Sequence, residues 1–207
     1  MPLIKRRMFI PCREDECLKL YELAKDKLPA TSYVEFQLTS KGLVIEAYGY
    51  ETDVRALWFE LKKLLPPLKE ALSTSKKVKK YEVGLVAKII QKTFPPLVLV
   101  EVLKHKGYHA RFLGESNSIE SNASLEEVLE VASKVAELNI EAGKISRNTS
   151  TRYYIAALSA LTGLPVEEVA RLSVKHGLLR EEGGVYVVTL DWREALNKAL
   201  KTLVHPQ

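Results

Sequence analysis

Residues that carry chemistry are scarce in this chain. Its 207 residues include two Cys and four His. Cys12 and Cys17 stand as Cys-x4-Cys with no second pair elsewhere. That spacing offers neither a zinc site nor a Cys-x-x-Cys redox motif. Placed in one helix, the two side chains diverge, so the expectation is two unbridged thiols, with Cys17 packed as a small hydrophobe. His105 and His109 are four apart, but Gly107 between them should end the helix before both reach one face. His176 precedes Gly177, a position that suits a cation at a helix C-terminus. No Gly-x4-Gly-Lys-Ser/Thr loop, Gly-x-Gly-x-x-Gly loop or nucleophile elbow occurs, and Gly183-Gly184 reads as a hairpin turn. Glu14-Asp15-Glu16 is a helix start and not an acid–base pair, because adjacent helical residues point apart. No motif remains to carry a reaction, a metal or a cofactor, and the chain is read as non-enzymatic.

Long hydrophobic runs are missing too. The stretch from Phe94 to Val100 is interrupted by Pro95 and Pro96 and falls far short of the ~20 residues that span a bilayer. The first residues, Met-Pro-Leu-Ile-Lys-Arg-Arg, lack an apolar signal region, so the expectation is a cytoplasmic protein with no membrane contact. On that reading the glycosylation sequons at Asn122 and Asn148 are chance matches. What the chain does have is charge: 28% Asp, Glu, Lys and Arg, dominated by Lys and Glu, a balance that resembles thermophile proteins. The formal net charge of +5 raises an anionic partner, nucleic acid first, against the plainer reading of a solvated basic surface. A hydrophobic share of 46% is enough for a packed core, and the length fits one large domain or two small ones.

The first seventy-odd residues predict the order β-α-β-β-α. Ile4 to Ile10 reads as a strand ended by Pro11. A helix over Arg13–Lys27 carries Cys17, Leu20, Tyr21, Ala24 and Leu28 on one stripe and stops at Pro29. Two alternating segments form a hairpin about Ser40-Lys41-Gly42. In the first, Val34, Phe36 and Leu38 face away from Tyr33, Glu35 and Gln37. In the second, Leu43, Ile45 and Ala47 face in, while Val44, Glu46, Tyr48 and Tyr50 face out. Thr52 or Asp53 then caps a helix that Pro66-Pro67 should end or kink. Between Gly42 and Leu72, the alternating strand, Tyr50-Glu51-Thr52-Asp53 and Arg55-Ala56-Leu57 opening a long helix together resemble the small dimerising subunit of the KEOPS tRNA-modification complex. This resemblance covers about a third of the chain and implies a KH-like arrangement of three strands and two helices. The chain as a whole also resembles an archaeal family of hypothetical proteins without an assigned function.

Ser73 to Lys80 is polar and basic and reads as a linker between a domain over 1–74 and one over 81–207. Beyond it, a helix begins at Val83, and a second runs from Leu97 to Lys106, closed by Gly107. A hairpin about Gly114–Asn117 follows. Ser124 and Glu127 form a capping box, and Gly143 ends the helix they open. Arg152–Leu161 is a helix closed by Gly163, and Pro165 opens another that ends at Gly177. A hairpin about Gly183-Gly184 and a capping box at Asp191 and Glu194 complete the chain. The two halves of this region align at an offset of about seventy residues, with Pro96 on Pro165 and Gly107 on Gly177. Helix, tight turn, helix, Gly and hairpin is also the order of a winged helix-turn-helix. The fold class is therefore α+β: a KH-like domain, then a mainly helical domain of helix-turn-helix and hairpin units.

Three basic segments are the candidate phosphate contacts: Lys5-Arg6-Arg7, Lys76-Lys77-Val-Lys79-Lys80, and Arg147 to Tyr154 with Arg147 and Arg152. For the first two, a solvated edge and a solvated linker are equally good readings. Of Tyr153 and Tyr154, one ring belongs to the core. Lys5, Arg7, Phe9, Tyr33, Tyr48 and Tyr50 are able to share one open sheet face, a stacking platform for single-stranded RNA. The competing reading makes that face a protein interface or a homodimer contact. The leading reading is an RNA-binding or RNA-complex-associated protein. A specific duplex-DNA regulator is disfavoured, because Glu167 and Glu168 open the helix that would enter the groove.

Overall fold

The computed structural model describes residues 2–26, 28, 33–72 and 78–203. It is a mixed α+β chain of two compact units, Met1–Tyr81 and Glu82–Gln207. The first unit has the expected order: β1 (Leu3–Pro11), α1 (Glu14–Lys25), β2 (Tyr33–Thr39), β3 (Gly42–Tyr50) and α2 (Glu51–Leu72). The strands form one antiparallel sheet in the order β1-β3-β2. The register runs unbroken from Leu3 opposite Tyr50 to Pro11 opposite Gly42. Side chains of paired residues share a face. The face bearing Leu43, Ile45 and Ala47 is fully buried. On it, Tyr21 of α1 stands edge-on to Phe36 at 5.2 Å, and α2 contributes Val54, Leu57, Leu61 and Leu68 to the core.

Three expectations fail here, each for a local reason. Cys12 and Cys17 are bridged, with Cα atoms 5.4 Å apart. Cys12 lies ahead of the helix, next to the extended N-cap Arg13, so the two cysteines never share a helical surface. α2 starts at Glu51, directly after β3, with no capping loop, and it runs through Pro66 and Pro67 to Leu72. Each proline removes one helical bond, but the carbonyls freed are those of Lys62 and Lys63, both exposed to water. Leu68 and Ala71, fully buried beyond the prolines, hold the last turns in place. Within the expected linker, residues 73–77 lie outside the described residues, and Lys79 and Lys80 belong to a strand, β4 (Lys79–Glu82). Tyr81 in that strand is fully buried. An alternating pattern of only four residues is too short to separate from a polar linker. Pro29 also lies outside the described residues.

The second unit holds α3 (Val83–Ile90), α4 (Pro96–His105), β5 (Ala110–Leu113), β6 (Ser118–Ser121), α5 (Leu125–Ile145), α6 (Thr149–Thr162), α7 (Val166–Lys175), β7 (Leu179–Glu182), β8 (Val185–Val188) and α8 (Trp192–Leu203). β4, β6 and β5 form a second sheet in that order, and β7 and β8 a hairpin. α6 is the hub. Tyr154 to Ala160 are buried on every side of the helix, and α4, α5, α7 and α8 all pack on it. Asn148, one of the sequon residues, is its N-cap and accepts from Thr151 N–H at 3.0 Å. Ser124 and Glu127 make the predicted capping box of α5. α5 passes through Gly143 to Ile145, and Arg152 lies alongside that glycine, 3.7 Å from where a Cβ would stand.

The order helix, helix, hairpin, helix occurs twice in this unit. After α4, Gly107 N–H donates to Lys104 O and Tyr108 N–H to Leu103 O. After α7, Gly177 N–H donates to Val174 O and Leu178 N–H to Ser173 O. Both glycines take positive φ, 91° and 68°, as such helix ends require.

Two stability outcomes follow. The bridge closes a short loop, so reducing it should cost the first unit about 2 kcal/mol by the chain-entropy model. Denaturation of a Trp192→Phe chain, followed by Trp58 of α2 with and without reductant, measures this; an unchanged midpoint refutes it. In the second unit, Tyr154 Oη lies 2.6 Å from Ser173 Oγ. The Ser173 hydroxyl itself donates to Val169 O at 2.7 Å, so Tyr154 is the donor. Burial pushes its phenol up to about 12. Tyr154→Phe leaves the Ser173 oxygen without its donor and should cost about 1 kcal/mol in urea unfolding.

Candidate nucleic-acid interface

The second face of the N-terminal sheet is built by register alone. Lys5 on β1 lies opposite Tyr48 on β3, and Tyr48 opposite Tyr33 on β2. The next row is Arg7, Glu46 and Glu35, and beyond it Phe9, Val44 and Gln37. Leu3 and Tyr50 form the other end. Leu3, Phe9, Tyr33, Tyr48 and Tyr50 expose 55, 51, 68, 47 and 54% of their surface. Exposed apolar groups on this scale mark a contact surface. Lys5, Tyr33, Glu35, Glu46 and Tyr48 line a shallow depression of about 230 Å³.

The expected platform residues Lys5, Arg7, Tyr48 and Tyr50 are thus brought together, and their electrostatics differ from a bare cationic patch. Glu46 stands between the two cations, with Oε2 2.7 Å from Lys5 Nζ and Oε1 3.6 Å from Arg7 Nε. The hydrogen bond from Lys5 holds its carboxyl below the ordinary glutamate range, against a smaller opposing effect of burial; the charges of Lys5 and Arg7 add to the lowering. With Glu35 in the same row, two cations face two carboxylates. The outward alternation of Glu35 and Glu46 was visible in the sequence, but only the register shows that they share a row with Arg7.

The other candidates are placed elsewhere. Lys76 and Lys77 lie outside the described residues. Lys79 is half-buried and Lys80 exposed on β4. Arg147 is exposed just before the α6 cap, whereas Arg152 folds back against Gly143 and has a buried Nε that meets no partner. Arg152 therefore packs the α5–α6 turn. Tyr153 stands edge-on to Trp192 at 5.8 Å, and Tyr154 is the core ring of the pair. Among the described residues, no group of three His, Cys, Asp or Glu is placed to hold a metal ion, and no helix is long and apolar enough to cross a membrane.

Fold and face define an α+β chain in which an open-faced three-stranded sheet unit precedes a helical unit. The chain belongs to the family described as an uncharacterized protein conserved in archaea (DUF2067), whose model matches residues 12–197. It is 25% identical over 178 residues to the uncharacterized protein MJ0388 of Methanocaldococcus jannaschii, covering 83% of this chain and 81% of that one. No solved structure matches.

The Lys5–Glu46 contact makes a titration prediction. A depressed folded-state pKa favours the fold above the unfolded value, and that contribution is lost as pH falls through the folded midpoint. The Glu46 carboxyl, followed by carbon-detected NMR, should titrate below an ordinary glutamate. Lys5→Ala should move it upward; no movement means that the contact does not persist in solution.

Proposed function

We propose that this chain is a non-enzymatic RNA-associated protein whose N-terminal unit makes the contact, chiefly with phosphates. The observation that carries the reading is where the charge lies. Met1–Tyr81 holds sixteen Lys and Arg against eleven Asp and Glu, while Glu82–Gln207 holds fifteen of each, together the chain's 31 and 26. Residues 1–72 hold twelve Lys and Arg against eleven Asp and Glu, so four of the five surplus charges are Lys76, Lys77, Lys79 and Lys80 at the end of the first unit. Sequence-independent affinity for nucleic acid comes from such a surplus through counterion release. Lys5 and Arg7 are engaged by Glu46, so the phosphate contacts fall to other cations. Arg6, Lys62, Lys63 and Lys80 are exposed, and none of the described ion pairs engages them. The order β-α-β-β-α, which we read as KH-like from its resemblance to the small KEOPS subunit, supports a macromolecule-binding unit.

A second reading has its own observation. The repeated helix pairs closing on Gly107 and Gly177 support helix-turn-helix units, and these favour duplex DNA. Against it, α7 opens with Glu167 and Glu168 in a unit without net charge. That sign repels phosphates, and no specific footprint on duplex DNA is expected at physiological salt.

The test is RNA affinity against salt, by fluorescence anisotropy on single strands. The log–log slope should be about −0.7 per phosphate contacted. Changing Lys62, Lys63, Lys79 and Lys80 together to Ala should flatten the slope and weaken all sequences alike, since Lys carries charge without base-reading geometry. Changing Lys198 and Lys201 of α8 should leave it alone. Affinity that is absent, or insensitive to both salt and the first set, overturns the reading. If bases stack on the sheet face, Tyr48→Ala costs roughly 1–3 kcal/mol.

A further inference from the structure

The open sheet face has a charge layout that discriminates between occupants. Across it the cations Lys5 and Arg7 stand on β1 and Glu35 on β2, with the tyrosines and Glu46 between. The face is therefore dipolar across the strands and neutral in sum. An RNA laid on it meets two carboxylates. A second copy of the same face meets its complement, provided that it is turned the right way.

Two two-fold axes in the plane of contact bring such a face onto itself. One runs across the strands and sets β1 on β1, so that Lys5 and Arg7 meet the same cations of the partner. The other runs along β3 and exchanges β1 with β2 while keeping each row at its level. Arg7 then faces Glu35 of the second copy, Lys5 faces the Tyr33 ring, and Tyr48 and Glu46 each meet their own mate at the axis, where the Lys5 and Arg7 of each copy stand beside the two Glu46 carboxylates. A Lys over a Tyr face is attractive within about 6 Å. Sheets packed face to face at about 10 Å and −30° leave such outer-strand pairs in reach. Edge-to-edge pairing through β1 is excluded by the same charges. An antiparallel β1–β1 ladder centred on Arg6 would set Lys5-Arg6-Arg7 against itself.

From this layout we infer that two copies of the chain pack through the open sheet faces about a two-fold axis parallel to β3, closing Arg7 on Glu35 reciprocally. Three strands of up to nine residues offer on the order of 500 Å² per copy. This places the contact at the small end of specific interfaces, with dissociation in the micromolar range. The inference goes beyond RNA association and does not depend on it.

Complementation in trans decides it. The nuclease-treated full chain is followed by sedimentation at 0.15 M salt, with folding of each variant checked by circular dichroism. The wild type should dimerise. Arg7→Glu alone and Glu35→Arg alone should each weaken the dimer at least tenfold, because each puts like charges together twice. An equimolar mixture of the two variants should dimerise within about threefold of wild type, because in the mixed pair both contacts are again opposite in sign. Only reciprocal Arg7–Glu35 contacts give this pattern. A wild type that stays monomeric at several hundred micromolar, single variants that dimerise normally, or a mixture that does not recover each overturns the inference. RNA affinity measured on the same samples shows independently whether the functional reading stands.

Discussion

A three-stranded sheet that carries both of its helices on one side keeps a second face that nothing in its own unit covers. Strand alternation fixes which residues appear there, and the β1-β3-β2 order fixes their rows. One face gives Leu43, Ile45 and Ala47 to the core; the other presents three tyrosines, two cations and two carboxylates. A one-residue slip of β1 against β3 would exchange the faces of its entire side-chain set. The unbroken nine-pair register is therefore what makes the face a definite surface.

Most of the fold was legible because it rests on local signals that agree with one another. Periodicity gave α1, α5 and α7, the capping box at Asp191 and Glu194 gave α8, and Gly107 and Gly177 marked two helix ends. The capping box at Ser124 and Glu127 was readable at its three-residue spacing. The failures lie where a neighbour distant in sequence overrides a local rule. Pro66 and Pro67 are breakers in isolation, yet buried Leu68 and Ala71 keep the helix going. Gly143 resembles a stop, yet α5 runs on to Ile145 with Ala142 buried beside it. Cys12 and Cys17 diverge only if both lie on one helix, whereas the extended N-cap Arg13 between them brings them within bonding reach. At the candidate site, the outward residues were readable one strand at a time. Their rows were not, because register is a relation between strands. Hence Glu46 was seen as outward-facing but not as the partner of Lys5 and Arg7.

The two units differ in charge and in organisation. The second unit is balanced in charge and organised around a helix that is buried nearly all round, with four other helices packed on it. Its polar side chains mostly complete the architecture: Asn148 caps α6, Thr151 accepts from Val188 N–H, and Ser146 donates to Tyr186 O. These bonds dock the β7–β8 hairpin onto the α5–α6 turn. The first unit is smaller and is clamped by the Cys12–Cys17 bridge where β1 passes into α1. Disulfides are rare inside most cells but persist in those of hyperthermophilic archaea, so the bridge does not by itself argue against an intracellular chain in an archaeal family.

Desolvation separates the two possible uses of the open face. Burying a charge without a partner is strongly unfavourable, and a buried pair is tolerated only when both members remain paired. Under RNA, Glu35 and Glu46 would be pressed towards phosphates while Lys5 and Arg7 stayed divided between Glu46 and the backbone of the strand. Under a second copy turned about β3, the two Glu46 carboxylates meet at the axis, but every charge on the face keeps or gains an opposite neighbour. Glu46 retains Lys5 and Arg7 at 2.7 and 3.6 Å, and Glu35, which makes none of the described ion pairs, acquires Arg7. The aromatic rings then lose water without stranding a charge. The two proposed roles draw on different side chains: self-association on the neutral face, and phosphate contact on Arg6, Lys62 and Lys80, which none of the described ion pairs engages.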